Sequence, residues 1–242
     1  MKVLHIIDSM GLGGAQTVIK GIFESQKANS DIFLFSLRNR EINIEIDHPN
    51  VLISKSSKKY SLSPIKQISN LIKKENIKII HCHLFRSQAF GYLIKRLYYK
   101  EITLIFHEHG EIFQNHRIYN AFMKFSRNLV DLYIAVSVAT KQLLINKISA
   151  DEKKIKVLHN FIDLTKYNKN SISMDIFGEK KKIGIEKDEF VIGFAGRLSK
   201  IKGCEYLLKA LTKLNFKYKC VIAGDGVLKN SLLKLSNKLR SN

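Results

Sequence analysis

Residues 3–16 read VLHIIDSMGLGGAQ, and this stretch decides the fold class. The apolar run Val3–Ile7 is typical of a buried strand, and apolar residues recur at helical spacing between Val18 and Phe23. A strand that enters a helix through a glycine turn is typical of a doubly wound α/β fold. The turn lacks the dinucleotide fingerprint GxGxxG, because Gln16 occupies the position of its last glycine, and no P-loop lysine follows.

Six further apolar runs follow this first strand, and segments with helical spacing separate most of them. Continuous apolar strands between helices indicate a parallel sheet that is covered on both faces. Residues 1–163 are therefore predicted to form one N-terminal Rossmann-like domain. Its predicted strands are Val3–Ile7, Ile32–Leu37, Val51–Ile53, Ile77–Cys82, Ile102–Phe106, Leu132–Val136 and Ile155–Leu158.

The alternating pattern lapses after Asp163. Residues 164–189 are rich in lysine, asparagine, serine and acidic residues, which predicts a linker. A β–α–β–α pattern resumes over residues 190–242, and two strands are too few for an independent α/β domain. The sequence thus predicts an incomplete second Rossmann-like domain. Its predicted strands are Phe190–Ala195 and Lys219–Ala223, and its predicted helices are Cys204–Leu214 and Leu228–Leu239.

The net charge of +20 makes nucleic acid or an anionic membrane a candidate partner. The basic and aromatic residues show no RNP-like or helix-turn-helix arrangement, so no nucleic acid partner is expected. Cations are interleaved with aromatic residues at Ser54–Tyr60 and in a predicted helix through Lys95–Lys100, which favours peripheral contact with an anionic membrane. The alternative is that much of the charge forms a solvated surface.

The composition is that of an ordinary globular protein. Hydrophobic residues make up 45% of the chain, so it can bury a core. No apolar run approaches the roughly 18–20 residues of a membrane span, and the N-terminus has no signal-peptide pattern. The three cysteines, Cys82, Cys204 and Cys220, are too few and too widely spaced for a disulfide scaffold. We expect a reduced cytoplasmic protein, with the inner face of the cell membrane as a second location.

Histidines end two neighbouring predicted strands, within HCH at residues 81–83 and HEHG at residues 107–110. The carboxyl ends of parallel strands meet at the edge of the sheet where ligands bind. A four-histidine metal site is one interpretation, but no other ligand cluster supports it, and we predict no metal site. We expect neighbouring backbone groups to satisfy the hydrogen-bonding groups of His81 and His83. His109, directly before Gly110, is placed better for a reacting sugar or leaving group.

Residues 193–203, GFAGRLSKIKG, form the most specific pattern. A buried strand delivers Arg197 and Lys202 to a short loop that enters a helix. Two fixed cations beside a helix N-terminus can neutralise a diphosphate without a metal, because arginine offers a bidentate fork and lysine a point charge. The alternative is a pair of ordinary loop cations. Downstream, residues 221–226 (VIAGDG) predict a further strand with a glycine turn.

The order of these motifs resembles the GT-B nucleotide-sugar glycosyltransferases of the retaining family 4. The matching segments, over nearly the whole chain, are GLGGAQ, FHEHG, AVS, VLHNFID, FAGRLSKIKG and IAGDG. The resemblance implies two Rossmann-like domains, of which the first takes a glycan or lipid-linked acceptor and the second a nucleotide-sugar donor. It also implies transfer with retention and without a metal or another cofactor.

The resemblance also implies roles for single residues. Arg197 and Lys202 match the cations that bind the donor diphosphate, and Gly13–Gly14 match the loop that comes close to the donor phosphates. His109 matches the catalytic-cleft histidine near the transferred sugar. His107 is the alternative if the register is off by two residues.

One departure from the family pattern concerns activity. Family members carry, later in the second domain, two glutamates separated by seven residues that hold the donor sugar and ribose. Glu205 is the last glutamate of this sequence, and Asp225 is its only later acidic residue. The resemblance therefore implies a truncated enzyme that is weakly active or inactive. The alternatives are a non-catalytic remnant or binding protein and, less favoured, a basic nucleic-acid binder.

Overall fold

The computed structural model describes residues 1–39, 44–54, 61–110, 117–165 and 175–240. The chain divides into two compact units, Met1–Leu164 and Thr165–Asn242.

The Met1–Leu164 unit is built on a parallel sheet whose seven strands, within the described ranges, have the order β3-β2-β1-β4-β5-β6-β7. The chain leaves β1 toward one side and returns to its other side at β4, which makes the sheet doubly wound. Each strand predicted from sequence is present, with its ends shifted by at most two residues. The strands are β1 (Val3–Ser9), β2 (Ile32–Arg38), β3 (Val51–Ile53), β4 (Ile79–His83), β5 (Thr103–Glu108), β6 (Leu132–Ala135) and β7 (Ile155–Val157).

The helices of this unit begin and end at local signals. Pro64 lies in the first turn of its helix, where its fixed φ suits the conformation. Ser137 caps another helix, because its side chain accepts a hydrogen bond from the backbone N–H of Thr140. The helices are α1 (Gly14–Ser25), α2 (Ser63–Glu75), α3 (Phe85–Leu97), α4 (Arg117–Ser126) and α5 (Val138–Ile148).

The two faces of the sheet bury different residues. The larger core packs alternate strand residues such as Leu4, Ile80 and Phe106 against helices α2–α5. The other face carries a smaller cluster in which Ile7 packs against Phe23 of α1. Helix α3 packs closely against β4 at Gly91. Any side chain at this position would collide with the sulfur of Cys82, so the close contact requires glycine.

Helix α3 ends earlier than the sequence predicted. The backbone N–H groups of Tyr98 and Tyr99 both donate to the Ile94 carbonyl, which closes the helix at Leu97. Lys95 is 6% exposed and forms an ion pair with Asp131, so it is not available to a membrane. The other predicted lysine-rich segment lies, from residue 55 to residue 60, outside the described residues.

The Thr165–Asn242 unit contains a parallel pair, β8 (Phe190–Ala195) and β9 (Tyr218–Ala223). Its helices are α6 (Ile176–Lys182), α7 (Cys204–Leu211) and α8 (Lys229–Arg240). A small core of five buried residues joins α7 to α8. These residues are Leu198, Cys204, Leu208, Leu211 and Leu232.

Helix α6 lies within residues 164–189, the segment that the sequence predicts as a linker. The Lys180 ammonium donates to the backbone carbonyls of Lys187 and Glu189 over 3.0 and 3.1 Å, which ties the helix to the approach of β8. Ile185 between them is 4% exposed. Lysine-rich composition concealed this helix, in which Lys180 bonds to backbone carbonyls and Lys182 pairs with Glu179.

Candidate functional site

Five imidazoles lie on one face of the sheet in the Met1–Leu164 unit. In the strand register His5 of β1 is opposite His81 of β4, and His83 is opposite His107 of β5. His109 directly follows β5 and stacks on His107 with ring centroids 4.1 Å apart. Since alternate strand residues share a face, the register alone brings these side chains together.

Hydrogen bonds join these five imidazoles in two series. In the longer series, Nδ1 of His5 lies 3.0 Å from Nε2 of His83, and Nδ1 of His83 lies 2.9 Å from Nε2 of His109. In the shorter series, Nε2 of His81 lies 3.2 Å from Nδ1 of His107. The prediction that backbone groups satisfy His81 and His83 is therefore wrong, because their partners are imidazoles.

Burial keeps these imidazoles neutral at physiological pH. It lowers the pKa of both His5 and His109 to about 4. Burial, reinforced by the neighbouring imidazoles, lowers the pKa of His107 to about 3 and holds the pKa values of His81 and His83 well below the usual range. A neutral imidazole has one donor and one acceptor nitrogen, so each series can run head to tail.

Two ring nitrogens of this cluster are buried without a hydrogen-bond partner among the described residues. They are Nε2 of His107 and Nδ1 of His109. Buried polar atoms without partners are uncommon in proteins. His109 is only half-buried, and no described residue comes within 4 Å of the place where a side chain at Gly110 would stand. With respect to the described residues, an external group can therefore reach this edge of the sheet.

Glu108 anchors the end of β5 from the opposite face. Its carboxylate is 1% exposed and accepts hydrogen bonds from Nε2 of Gln88 at 2.5 Å and from the Tyr119 hydroxyl at 2.8 Å. Burial raises the pKa of Glu108 to about 7, although these two bonds oppose the shift. Sequence reasoning missed this network, because its members are far apart in the chain.

The glycine turn after β1 presents the N-terminus of α1. The first helical hydrogen bond runs from the Thr17 N–H to the Gly13 carbonyl, so the preceding N–H groups have no partner within the helix. The Gln16 side chain closes the turn by donating to the Ser9 carbonyl at 3.0 Å. A side chain at Gly14 would meet no described residue within 4 Å. This open helix end suits an anion.

A carboxylate with two arginines lies at the same edge and was also missed from sequence. Arg86 donates to Asp8 at 2.9 Å, and Arg38 pairs with the same carboxylate. Burial acts to raise the pKa of Asp8, but the two guanidinium groups outweigh it and lower the pKa. Two cations for one carboxylate leave a net positive charge there.

The Thr165–Asn242 unit places its two predicted cations in the open. Arg197 lies two residues after β8, and Lys202 ends a short 3₁₀ turn two residues before α7. Both side chains are exposed, and neither forms an ion pair within the described part of the chain. Gly203 between Lys202 and α7 has φ +70°, the left-handed conformation that favours glycine.

Close backbone contact fixes this loop against the glycine turn after β9. The Leu198 N–H donates to the Asp225 carbonyl at 2.8 Å, and the Gly196 N–H donates to the Ala223 carbonyl at 3.0 Å. A side chain at Gly224 would collide with the Gly196 carbonyl oxygen. The sequence GDG therefore supplies space for the loop that carries Arg197.

Comparison with known proteins gives this arrangement a context. A family model described as Glycosyltransferase Family 4 matches residues 12–166, and one described as Glycosyl transferases group 1 matches residues 148–242. The chain belongs to glycosyltransferase family 4. This glycosyltransferase is 26% identical over 202 residues to an uncharacterized glycosyltransferase of Methanocaldococcus jannaschii, a match covering 80% of this chain and 51% of the relative.

A second relative has an assigned reaction. The N-acetylgalactosamine-N,N'-diacetylbacillosaminyl-diphospho-undecaprenol 4-alpha-N-acetylgalactosaminyltransferase of Campylobacter jejuni is 27% identical over 254 residues, covering 98% of this chain and 66% of the relative. The chain of the family 4 glycosyltransferase thus spans about half to two thirds of the length of these relatives.

A solved structure confirms the fold class. The Anabaena protein HepE, crystallised in complex with UDP, superposes with a TM-score of 0.75 at 19% identity, covering 100% of this chain and 66% of HepE. The α/β fold of GT-B type that the sequence predicted is confirmed.

Proposed function

We propose that this family 4 glycosyltransferase transfers a sugar from a nucleotide-sugar donor to a glycan or lipid-linked acceptor, with retention of configuration. The observation that carries the proposal is the loop after β8, which presents the exposed cations Arg197 and Lys202 at the start of α7. HepE, a protein of the same fold, binds UDP, and the Campylobacter relative acts on a diphospho-undecaprenol-linked acceptor.

Arg197 and Lys202 act on the leaving group in this proposal. Glycosyl transfer passes through an oxocarbenium-like state, and negative charge develops on the departing nucleoside diphosphate. Fixed cations and helix N–H groups stabilise that charge, which is the largest kind of catalytic contribution. Retention follows from attack on the same face, with the leaving phosphate taking the acceptor proton.

His109 positions the transferred sugar. Its Nε2 is held by His83, and its buried Nδ1 has no hydrogen-bond partner among the described residues. Because the imidazole is neutral, it contributes a hydrogen bond rather than a charge. His107 takes this role if the register is off by two residues, and Gly13–Gly14 receive the donor phosphates at the N-terminus of α1.

The acceptor side favours an anionic, lipid-linked molecule. The net positive charge at Asp8, Arg38 and Arg86 suits a phosphate next to an acceptor sugar. A groove of about 580 Å³ between α2 and the end of α3 is lined by exposed Lys66 and Lys73 together with Tyr98. Lysines beside aromatic rings fit an anionic membrane surface, so we place peripheral membrane contact here.

The proposal includes a cytoplasmic location. Cys82, Cys204 and Cys220 are free thiols, as a reducing compartment allows. Among the described helices, none is both long and apolar enough to cross a bilayer.

Calorimetry with UDP tests the donor site. The 242-residue chain should bind UDP with a Kd near 1 mM, which is about 4 kcal/mol. Replacing Arg197 and Lys202 with alanine should abolish binding, whereas His109→Ala should leave it nearly unchanged because His109 faces the sugar. Lys213→Ala is the matched control, since Lys213 is an exposed lysine of the same unit.

Turnover assays separate the proposal from its alternatives. We expect no detectable transfer by residues 1–242 alone, because they do not contain the glutamate pair that the resemblance implies. Tight UDP binding or measurable transfer would contradict this expectation of a weak site. Absence of UDP binding would favour a remnant, and stronger salt-dependent binding to generic DNA would favour a nucleic-acid binder.

A further inference from the structure

One part of the imidazole cluster has the composition of a metal centre. One ring nitrogen from each of His83, His107 and His109 lies within 4.8 Å of the other two. Three imidazoles with an open fourth position form a common protein site for zinc. Nε2 of His107 and Nδ1 of His109 have no partner within the described ranges, which is consistent with a ligand that completes them.

The remaining imidazoles hold the outer nitrogens of these ligands. Nε2 of His83 contacts Nδ1 of His5 at 3.0 Å, and Nδ1 of His107 contacts Nε2 of His81 at 3.2 Å. Metal-ligating histidines nearly always have their second nitrogen fixed by such a partner, which sets the tautomer and the ring orientation. His5 and His81 therefore stand where outer partners of a metal site are found.

Access distinguishes this triad from the other close group, His5, His81 and His83. All three of those side chains are at most 8% exposed. His109 is half-buried and directly precedes Gly110, so an ion can approach it from the carboxyl edge of the sheet.

We propose that His83, His107 and His109 bind a divalent transition-metal ion of the zinc class, with His5 and His81 orienting two of the three ligands. This site goes beyond the proposed glycosyl transfer, which uses no metal, and a bound ion would compete with the transferred sugar for the His109 imidazole. Zinc–nitrogen distances of about 2.0–2.1 Å require nitrogens roughly 3.3 Å apart. The rings must therefore rotate on binding, and the His83–His109 hydrogen bond is replaced by bonds to the metal.

Calorimetry with zinc chloride on the untagged, EDTA-treated chain tests the site. We expect one ion per chain, and with Co²⁺ in place of Zn²⁺ we expect visible absorption typical of tetrahedral coordination. His107→Gln should weaken binding more than 100-fold. His5→Gln, which removes only an orienting partner, should weaken it about 10- to 100-fold. His159→Gln is the control, because His159 is exposed and lies outside the cluster.

The expected order of affinities is wild type and His159→Gln first, His5→Gln next and His107→Gln last. If His107→Gln does not fold, as judged by circular dichroism, then His109→Gln at the half-buried position takes its place. Zinc binding that is equal in wild type and in both ligand variants would overturn the proposal, and so would the absence of binding to the wild type.

Discussion

The two units of this glycosyltransferase expose their polar side chains in opposite ways. The Met1–Leu164 unit carries five neutral imidazoles on one face of its sheet and joins them to one another. The Thr165–Asn242 unit leaves Arg197 and Lys202 exposed and instead fixes the backbone that carries them. The first arrangement holds side chains in place through hydrogen bonds between them. The second holds the backbone in place through close contacts that glycines allow.

Lowering the pH is expected to have the largest effect on the contrast between the two units, because it charges the buried imidazoles of the first. The imidazoles have pKa values below the 6.5 of the unfolded chain, so the unfolded state binds more protons and stability falls as the pH drops from 6.5 towards 4. Glu108 has the opposite effect. Because its pKa in the folded state is about 7, it stabilises the folded unit increasingly as the pH falls from 7 to 4.5. Five imidazoles outweigh one carboxyl, since each contributes about 1.4 kcal/mol per pH unit.

We expect the metal-free Met1–Leu164 unit to lose on the order of 5 kcal/mol between pH 6.5 and pH 5. Hydrogen exchange of β4 and β5 amides in EDTA measures it. His109→Gln removes one titrating group and should make the pH dependence shallower by about one proton. A flat profile in the wild type would show that the cluster is not buried as described.

A glycine substitution tests the other unit. Gly224→Ala places a methyl group against the Gly196 carbonyl oxygen, and overpacking of this kind costs about 1–3 kcal/mol. Hydrogen exchange of β8 and β9 amides measures the loss. Gly193→Ala is the matched control, because a side chain there meets nothing within 4 Å, and it should leave stability nearly unchanged. Equal effects of the two substitutions would remove the argument for backbone packing.

Substitutions of two buried tyrosines test the hydrogen bonds of Glu108 in the first unit. Tyr119→Phe removes the hydrogen bond to buried Glu108 and should cost about 1–2 kcal/mol. It should also raise the pKa of Glu108 further, because that bond opposes the shift. Tyr133→Phe is the control, since the buried Tyr133 hydroxyl has no hydrogen-bond partner among the described residues. Urea unfolding at pH 7 compares the two, and similar losses would contradict the Glu108 network.

The smallest effect concerns the lipid surface. Lys66→Ala should weaken binding to anionic vesicles by about 1 kcal/mol or less, because Lys66 lines the groove beside Tyr98. Lys213→Ala in the other unit should have no effect. Flotation with vesicles of phosphatidylcholine alone and with added phosphatidylserine measures it. Equal flotation with both would reject electrostatic docking.

Sequence patterns were sufficient for the sheet but not for what its edge contains. Apolar runs such as Val3–Ile7 identify buried strands, since they depend only on local composition. His5 escaped notice because its partners are set by register with β4, 76 positions away, and a single histidine in an apolar strand gives no local signal. Residue spacing nevertheless placed His107 and His109 on one side.

Surface chemistry was harder to predict than the fold. Lys95 reads as a lipid-facing cation in the sequence, yet its ion pair with Asp131 draws it inward. Lys180 reads as part of a linker, yet its bonds to two carbonyls support a helix. A long, flexible cation can face water or the interior, and composition does not distinguish the two. The roles of Arg197, Lys202 and His109 stay predictions.

Because α3 packs closely on β4, the reactivity of Cys82 reports when the first unit opens. Cys82 is fully buried beneath Gly91, and burial raises the pKa of its thiol, so an alkylating reagent has neither access nor thiolate to react with. It is the only cysteine before residue 165, whereas Cys204 and Cys220 belong to the second unit. Cys204 is also buried, whereas Cys220 is partly exposed, so pulsed alkylation of Cys82 and Cys204, read by peptide mass, would report separately how often each unit opens.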